Sequence, residues 1–412
     1  MSDGTGRRPR GWARHYGGLL APGSAAAARV AGERAAGLRV RRLTEAAVDG
    51  VRQRARPTRP RMRALVAGPG GRLGWSDVAA PASPGPDAAV VRPIAVSTCD
   101  LDPLVALGAS PFPLPLRIGH ECVAEVVAVG ERVLGVRPGQ RVVVPFQISC
   151  GTCVPCRSGR TSNCTSVPPI SMYGFGVAGG HWGGAYADRL AVPYADAMLV
   201  PLPDGVDPVA AASVADTVCD GYRHVAPHLP QVLAADPDAH VIVVASVSPR
   251  TLFSPSSPLY AGLVAKALGA RRVVLADSRP HVRDHAERLG LAAVAPRALR
   301  HVPPAPLVAD VSGSAAGLRA ALGSTAPDGI CNSAGSLHRT VRIPTLRMFG
   351  RNVTLRISRA HVRTLIPGVL DLMADGRLHP ETVTTTVAPL DDAPAVLREH
   401  YRGGGTKTVL TV

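Results

Sequence analysis

The sequence predicts an α/β protein in which an antiparallel, barrel-like β domain precedes a doubly wound parallel sheet. Short apolar runs separated by Gly and Pro predict the strands of the first part, at 63–66, 89–94, 123–129, 141–145 and 185–192. Apolar strands that alternate with helical patterns predict the second part, because such alternation requires crossover connections. Its strands are expected at 240–245, 272–276, 307–311 and 353–357, and its helices at 259–268 and 282–289.

The predicted domain order follows from these runs. Residues 1–61 are a basic Arg/Ala-rich extension that we expect to be disordered. Residues 62–216 form the barrel-like domain, and residues 217–358 form the parallel-sheet domain. Residues 359–412 begin with an amphipathic helix at 361–375 and then return in strands at 383–387 and 408–412.

The charge distribution argues against a nucleic-acid-binding protein. The 412 residues carry a formal charge of +16, but residues 1–61 hold +10 of it, with fourteen arginines against four acidic residues. Nucleic-acid binding by that extension is the remoter alternative. Another is a misassigned start codon, in which case translation begins at Met62 and residues 1–61 are not part of the protein. No uninterrupted apolar run is long enough to span a membrane. The cysteines can all be buried thiols or ligands, so we expect a cytoplasmic protein.

Four cysteines are the strongest motif in the chain. Cys150, Cys153, Cys156 and Cys164 fall within fifteen residues. Thiolates at this spacing can close tetrahedrally on one zinc ion and leave no open position for a substrate. Disulfides are disfavoured, since cysteines three positions apart bridge poorly. The spacing therefore predicts a structural zinc site.

A second set of metal-ligand types precedes this motif. Cys99 is followed about twenty residues later by Gly119-His120-Glu121, and then by the four cysteines. The order of these motifs resembles the zinc-containing medium-chain alcohol dehydrogenase family, from about Met62 to the C-terminus. The resemblance implies a GroES-like β-barrel domain, a Rossmann cofactor domain, and a homodimer or homotetramer. It also implies a second, catalytic zinc.

The resemblance assigns the catalytic ligands one by one. Cys99 follows a predicted strand at the position of the family's first ligand, and His120 stands at the second. Asp216 is the third, because it lies five residues before the Gly-aromatic pair at 221–222. Glu121 is expected beside the metal, either behind its ligands or as an exchanging ligand. Asp216 as a helix N-cap remains open, as do the rival ligands Cys219 and Asp220.

The chemistry implied by such a site is hydride exchange between an alcohol or carbonyl compound and a nicotinamide. Zinc polarises the substrate oxygen and lowers the pKa of the alcohol. The family's usual proton relay is missing, however. Leu101 stands where a hydroxyl residue is common, and Leu104 where a histidine is common. The proton is then expected to leave through water or Asp100.

The dinucleotide motif departs further from the family. No glycine occurs between residues 246 and 260, where G-x-G-x-x-G is expected after the first strand of the parallel sheet. Ser257 is instead predicted as the N-cap of the following helix, whose N-terminus can attract a phosphate with help from Arg250. Asp277 ends the second strand and favours NAD over NADP, although Arg279 can offset its charge.

The sequence thus predicts a zinc-dependent alcohol dehydrogenase-like oxidoreductase, with two zinc ions per chain and a small-molecule alcohol or carbonyl substrate. The alternative is a catalytically silent zinc protein of the same fold, acting as a binding or regulatory module because the glycine-rich loop is lost.

Overall fold

The computed structural model describes residues 60–106, 112, 114–176, 180–251, 253–335 and 341–412. The predicted disorder of residues 1–61 falls outside this range except for residues 60 and 61. The strands are β1 (Arg61–Gly68), β2 (Arg72–Ala79), β3 (Ala89–Ser97), β4 (Leu116–Arg117), β5 (Glu121–Val129), β6 (Arg141–Val144), β7 (Leu190–Val192), β8 (Val200–Pro201), β9 (Val241–Ser246), β10 (Val273–Asp277), β11 (Ala292–Val294), β12 (Ala305–Asp310), β13 (Thr325–Ser333), β14 (Thr354–Ile357), β15 (Thr386–Pro389) and β16 (Thr408–Thr411).

The helices connect and cover these strands. They are α1 (Asp102–Ala106), α2 (Val154–Arg157), α3 (Ala195–Met198), α4 (Pro208–Ala211), α5 (Thr217–Val225), α6 (Leu229–Ala235), α7 (Ser256–Ala267), α8 (Pro280–Arg288), α9 (Ala315–Ser324), α10 (Thr345–Phe349), α11 (Val362–Ala374) and α12 (Ala393–Glu399). No helix of the described residues is long and apolar enough to cross a membrane.

The β-rich part is built on the antiparallel pair β3 and β5. Among the described residues its main sheet has the order β15-β16-β3-β5-β6-β8, with β7 paired to β3. A smaller sheet, β2-β1-β4, lies beside it. The C-terminal strands β15 and β16 join this sheet, since β16 pairs antiparallel with β3. The chain therefore returns to the β-rich part, as the resemblance implies.

The second part is a six-stranded sheet whose described pairings are all parallel, in the order β11-β10-β9-β12-β13-β14. The strand order reverses between β9 and β12, and ligands of open α/β sheets bind in the crevice at the carboxyl ends of the strands at such a point. The α/β fold class with a GroES-like and a Rossmann domain is confirmed, and the domain boundaries stay predictions.

Two helices bring the parts together. Helix α5 packs on α7 at Gly221, where an added Cβ would lie only 2.6 Å from the Ala261 backbone nitrogen. Glycine is required at this crossing because any side chain would separate the helices. Helix α7 begins at Ser256 with Pro255 as its N-cap, so the prediction of Ser257 as N-cap is wrong by two positions.

Candidate metal centre and nucleotide crevice

The four cysteines of the predicted structural site converge. One ligand atom from each of Cys150, Cys153, Cys156 and Cys164 lies within 4.8 Å of the other three. Hydrogen bonds lower the pKa of Cys153 to about 5, whereas burial raises the pKa of Cys156 to about 12 and also raises that of Cys164. The convergence of the four sulfur atoms is therefore what fits a structural zinc ion, which would hold all four as thiolates.

The zinc lobe, defined as residues 150–164, is fixed to the start of α11. Thr364 Oγ1 donates to the Gly159 carbonyl at 2.9 Å. The Ser162 hydroxyl lies 2.7 Å from His361 Nδ1. These contacts connect the lobe to a helix about two hundred residues further along the chain. The lobe and the start of α11 are therefore held together.

A second group collects the predicted catalytic ligands. Ligand atoms of Cys99, His120, Glu121 and Asp216 all lie within 4.8 Å of one another. Asp216 Oδ2 is 3.3 Å from Cys99 Sγ and 3.3 Å from His120 Nε2. Sulfur, imidazole nitrogen and carboxylate oxygen are the donor types that zinc takes in catalytic sites.

Each of these side chains is placed by the end of an element. Cys99 follows β3 and precedes α1, whereas His120 lies one residue before β5. Gly119 has a φ of +91°, and an added Cβ there would lie 2.5 Å from the Tyr186 ring. Only glycine therefore allows the chain to turn His120 toward the cluster.

The position of Asp216 distinguishes a metal ligand from a helix cap. Asp216 is the N-cap residue of α5, but its side chain makes no capping hydrogen bond. Its carboxylate is directed to Cys99 and His120 instead. Of the rival ligands, Cys219 is fully buried and Asp220 accepts a bond from Arg223 Nε at 2.6 Å.

The second cluster fits a cation for an electrostatic reason. Neither ring nitrogen of the buried His120 makes a hydrogen bond, although Nε2 lies 3.3 Å from Asp216 Oδ2, and Glu121 Oε1 also lacks a hydrogen-bond partner. Burial raises the pKa of Cys99 well above its usual range, and the carboxylates of Asp216 and Glu121 raise it further. Buried acidic groups this close repel one another. A divalent cation bound among them would remove that repulsion, and a His120 ring nitrogen could coordinate it.

Glu121 is held by a lysine that sequence reasoning missed. Lys407 Nζ donates to Glu121 Oε2 at 2.7 Å and to Thr217 Oγ1 at 2.6 Å, and both charged side chains are fully buried. Ser97 Oγ also donates to Glu121 Oε2, at 2.6 Å. One signal was available, because Lys407 is one of only two lysines in an arginine-rich chain.

Groups behind the ligands fix their orientation. The Cys99 backbone N–H donates to Asp102 Oδ2 at 2.9 Å, and Asp102 Oδ1 lies 3.8 Å from His120 Nδ1. At this distance Asp102 and His120 are not hydrogen-bonded, so Asp102 acts on the histidine through its charge. The rings of Phe146 and Phe175 lie 5.5 and 4.9 Å from the His120 ring. The cluster therefore has an apolar wall beside it.

The nucleotide crevice is arranged differently from the sequence prediction. Asp277 is at the end of β10 as expected, but both of its carboxylate oxygens bind Arg279, Oδ1 with Nε at 3.0 Å and Oδ2 with Nη2 at 2.8 Å. The charge that would attract ribose hydroxyls is thus paired within the chain. Arg250 is exposed in the turn after β9.

The N-terminus of α7 also has an internal partner. The Ser257 backbone N–H donates to Asp100 Oδ2 at 2.8 Å, and that of Ser256 donates to Asp100 Oδ1 at 3.1 Å. The predicted phosphate-binding end of the helix therefore holds a carboxylate of the chain. The prediction that Asp100 relays the substrate proton is not supported, since both its oxygens accept these bonds.

A cavity lies away from the metal cluster. It has a volume of about 650 Å³ and is lined by residues that include Met62, Val78, Arg117 and Trp182. Its lining does not include Cys99, His120 or Asp216.

Comparison with known proteins identifies the family. The "Alcohol dehydrogenase GroES-like domain" family matches residues 85–204. A probable zinc-binding alcohol dehydrogenase of Mycobacterium tuberculosis is 30% identical over 334 residues, which is 81% of this chain and 83% of that protein. The chain belongs to the zinc-containing medium-chain alcohol dehydrogenase family.

Solved structures of family members agree. An alcohol dehydrogenase from Thermus sp. ATN1 superposes with a TM-score of 0.76 and 30% identity, covering 85% of this chain and all (100%) of that one. A cobalt- and zinc-bound thermostable alcohol dehydrogenase from Pyrobaculum aerophilum gives a TM-score of 0.69 at 25% identity, covering 86% of this chain and 100% of that one. The chain is accordingly an oxidoreductase of the medium-chain dehydrogenase/reductase type.

Proposed function

We propose that this protein is a zinc-dependent alcohol dehydrogenase-like enzyme that exchanges hydride between a small alcohol or carbonyl compound and a nicotinamide dinucleotide. One observation carries the proposal. The side chains of Cys99, His120 and Asp216, from positions 21 to 117 residues apart, place their ligand atoms within 4.8 Å of one another. The His120 ring nitrogens make no hydrogen bond and are therefore available to coordinate a metal ion.

The three side chains would hold the catalytic zinc, and the four cysteines of the zinc lobe would hold a structural one. A catalytic zinc supplies Lewis-acid polarisation of the substrate oxygen, which lowers the pKa of an alcohol. The protein's residues then have to orient the substrate and keep water away from the transferred hydride.

The residues around the ligands divide this work. Lys407 fixes the Glu121 carboxylate behind the ligand set, and Asp102 holds the backbone of Cys99. Phe146 and Phe175 cover one side of the His120 ring, which favours substrates with an apolar portion. Because Leu101 and Leu104 carry no proton-transferring group, water is the expected acceptor of the alcohol proton.

The cofactor proposal is NAD in preference to NADP. Its support is the position of Asp277 at the end of β10, where a carboxylate can accept ribose hydroxyls, although Arg279 must first release this carboxylate. The described crevice does not offer a ready pyrophosphate site, however. The turn after β9 has no glycine, and Asp100 holds the N-terminus of α7.

The test is metal-dependent alcohol oxidation. We expect the full chain to contain about two zinc ions and to reduce NAD in the presence of a panel of primary and secondary alcohols. Asp216→Asn should lose about one zinc and nearly all turnover, because a neutral amide is a poor zinc ligand. The exposed Asp204→Asn is the matched control and should keep both. Full activity in Asp216→Asn would refute the proposal.

We also propose a homodimer or homotetramer joined through the parallel sheet. Strand β14 forms one edge of that sheet, and its Ile357 is 56% exposed. On the neighbouring α10, Leu346 is 83% and Phe349 82% exposed. Exposed apolar groups beside an open sheet edge favour pairing. Sedimentation should show a dimer or larger species that Phe349→Glu dissociates, and a monomeric parent chain would contradict this.

A further inference from the structure

Asp100 contacts the N-terminus of α7 through the kind of donors that bind an anion. The Asp100 carboxylate accepts the backbone N–H groups of Ser256 and Ser257, and the Ser256 hydroxyl donates to the same carboxylate. Asp100 is buried, with 8% of its surface exposed. Free N–H groups at a helix N-terminus attract negative charge, and the helix dipole adds to that attraction.

This helix end is also where a dinucleotide would place its pyrophosphate. Helix α7 follows β9, the strand at which the order of the parallel sheet reverses. In such folds the pyrophosphate binds at the N-terminus of the helix that follows the first strand. Asp100 comes from the other part of the molecule, 156 residues earlier in the chain, and lies next to Cys99. It therefore joins the metal cluster to the crevice.

A second, independent set of contacts closes the same crevice. The turn after β9, described at residues 247–251 and 253–255, extends from the end of β10 to the end of β12. At one side the Phe253 carbonyl accepts Arg279 Nη1 at 2.9 Å. At the other side the Phe253 ring lies against Gly313, where an added Cβ would be 3.3 Å from it. The Ser254 hydroxyl also lies 3.3 Å from His400 Nε2.

Through these contacts the chain itself uses the groups that would bind the ribose and the phosphates of a dinucleotide. Asp277 pairs with Arg279. Arg279 also donates to the Phe253 carbonyl and so anchors the segment that follows β9. The helix end is satisfied by a carboxylate rather than by a ligand. A dinucleotide must break these contacts before its phosphates reach α7.

We propose that Asp100 is an internal competitor for the phosphate groups of the nicotinamide cofactor, and that it sets the affinity of the crevice for dinucleotides. This inference rests on the proposed function, and it concerns a residue for which the family assignment gives no such role. The carboxylate and the pyrophosphate use the same backbone donors, so only one of them can occupy the helix end at a time.

The competition has a predictable size. When a site is open for only a fraction of the time, the apparent dissociation constant rises by the inverse of that fraction. Three hydrogen bonds favour the closed form, whereas the loss of hydration of the buried carboxylate opposes it, and we take the open fraction as roughly one in ten to one in a hundred. Removing the charge should then strengthen dinucleotide binding by about 10- to 100-fold.

The experiment measures NADH binding to the zinc-replete full chain by fluorescence, with ADP as a second probe that lacks the nicotinamide. Asp100→Asn is compared with the parent chain and with the exposed Asp204→Asn as a matched control. We expect Asp100→Asn to bind both probes about 10- to 100-fold more tightly while its melting temperature falls, because buried charged hydrogen bonds are lost. A residue with only a structural role would lower the melting temperature without raising affinity.

Equal affinities of the parent chain, Asp100→Asn and Asp100→Ala overturn the inference, as does the absence of binding in all three. Equal affinities do not decide the proposed function, which fails if the parent chain shows no zinc-dependent alcohol oxidation at saturating cofactor. Tighter binding by Asp204→Asn as well would assign the effect to net charge and would also overturn the inference. Asp100→Ala is a second variant for the case in which the asparagine keeps the helix cap closed.

Discussion

The metal cluster and the nucleotide crevice lie on either side of Asp100 and differ in what they leave unsatisfied. In the cluster, His120 has two buried nitrogens without partners, and three acidic or thiol groups crowd around it. In the crevice, Asp277 has Arg279 and the helix end has Asp100. The cluster needs a ligand to be complete, whereas the crevice is complete without one.

The spacing of a motif predicts a metal site better than it predicts a phosphate site. Zinc ligands need particular donor atoms at particular places, so their residue types are restricted. A pyrophosphate is bound mainly by backbone N–H groups, which any sequence can supply and any carboxylate can occupy. Motif order is therefore a stronger guide to the cluster than to the crevice. Perturbing each region separately tests this contrast.

The largest expected effect comes from removing His120. His120→Ala should lose about one of two zinc ions and lower turnover roughly a thousandfold, because the polarising ion supplies several kcal/mol of transition-state stabilisation. Metal analysis and steady-state kinetics measure the two quantities. NADH affinity should stay within about threefold, since His120 makes no described contact with the crevice.

The exposed His301→Ala is the control for this substitution and should keep metal content and turnover. Two zinc ions in His120→Ala together with unchanged turnover would mean that the cluster is not a metal site. The contrast between the cluster and the crevice would then disappear.

Loss of the structural zinc should affect stability more than chemistry. Cys156→Ala removes one of four ligands, and metal binding free energy in such sites is folding free energy. We expect a decrease in melting temperature on the order of 5 °C or more, with increased hydrogen exchange at residues 150–164 and 359–364. Cys331→Ala, a buried thiol outside the lobe, is the control and should retain two zinc ions. Equal zinc contents in the two variants would contradict the lobe assignment.

The fold was predictable where apolar patterning is regular. Strands β3, β5, β9 and β10 were predicted to within about three residues of their observed ends. Strand β13 was missed because Pro327 and Asp328-Gly329 indicate a turn, and Asp328 indeed has a φ of +57°. The chain nevertheless continues as a strand on both sides of this irregularity, with a register shift against β12.

Of the candidate site, only the residues whose spacing follows a motif could be predicted from the sequence. The positions of Cys99, His120 and Asp216 follow from motif order, and whether they bind zinc stays a prediction. The contact of Lys407 with Glu121 joins residues 286 positions apart, and that of Asp100 with Ser256 joins residues 156 apart. Such pairs depend on how the two parts dock, which no local pattern specifies.

A smaller effect is expected from pH, through a histidine that contacts the crevice turn. His400 lies 3.0 Å from the Thr408 hydroxyl and 3.3 Å from the Ser254 hydroxyl, and burial lowers its pKa to about 4. The unfolded chain binds a proton near pH 6.5, whereas the folded chain does not until about pH 4. The histidine therefore favours folding above pH 6.5, and this contribution is lost as the pH falls toward 4, by about 3 kcal/mol.

Denaturant unfolding from about pH 7.5 to about pH 4.5 measures this loss. His400→Asn should flatten the pH dependence by the equivalent of one proton, because asparagine does not titrate. The exposed His301→Asn should not change it. The comparison of variants cancels the loss of zinc at low pH, which is common to all three. An unchanged slope in His400→Asn would show that His400 is not buried in its neutral form.

The smallest effect is expected from the basic N-terminal segment, of which the structure describes only residues 60 and 61. Strand β1 begins at Arg61, whose exposed ion pair with Asp77 is worth at most about 1 kcal/mol, and the core begins at Met62. Deleting residues 1–59 should therefore leave zinc content, turnover and melting temperature unchanged. Binding to duplex DNA should be weak in both forms. If the full chain instead bound DNA with a steep salt dependence that deletion abolished, the +10 charge of residues 1–61 would mark a nucleic-acid-binding function separate from the dehydrogenase fold.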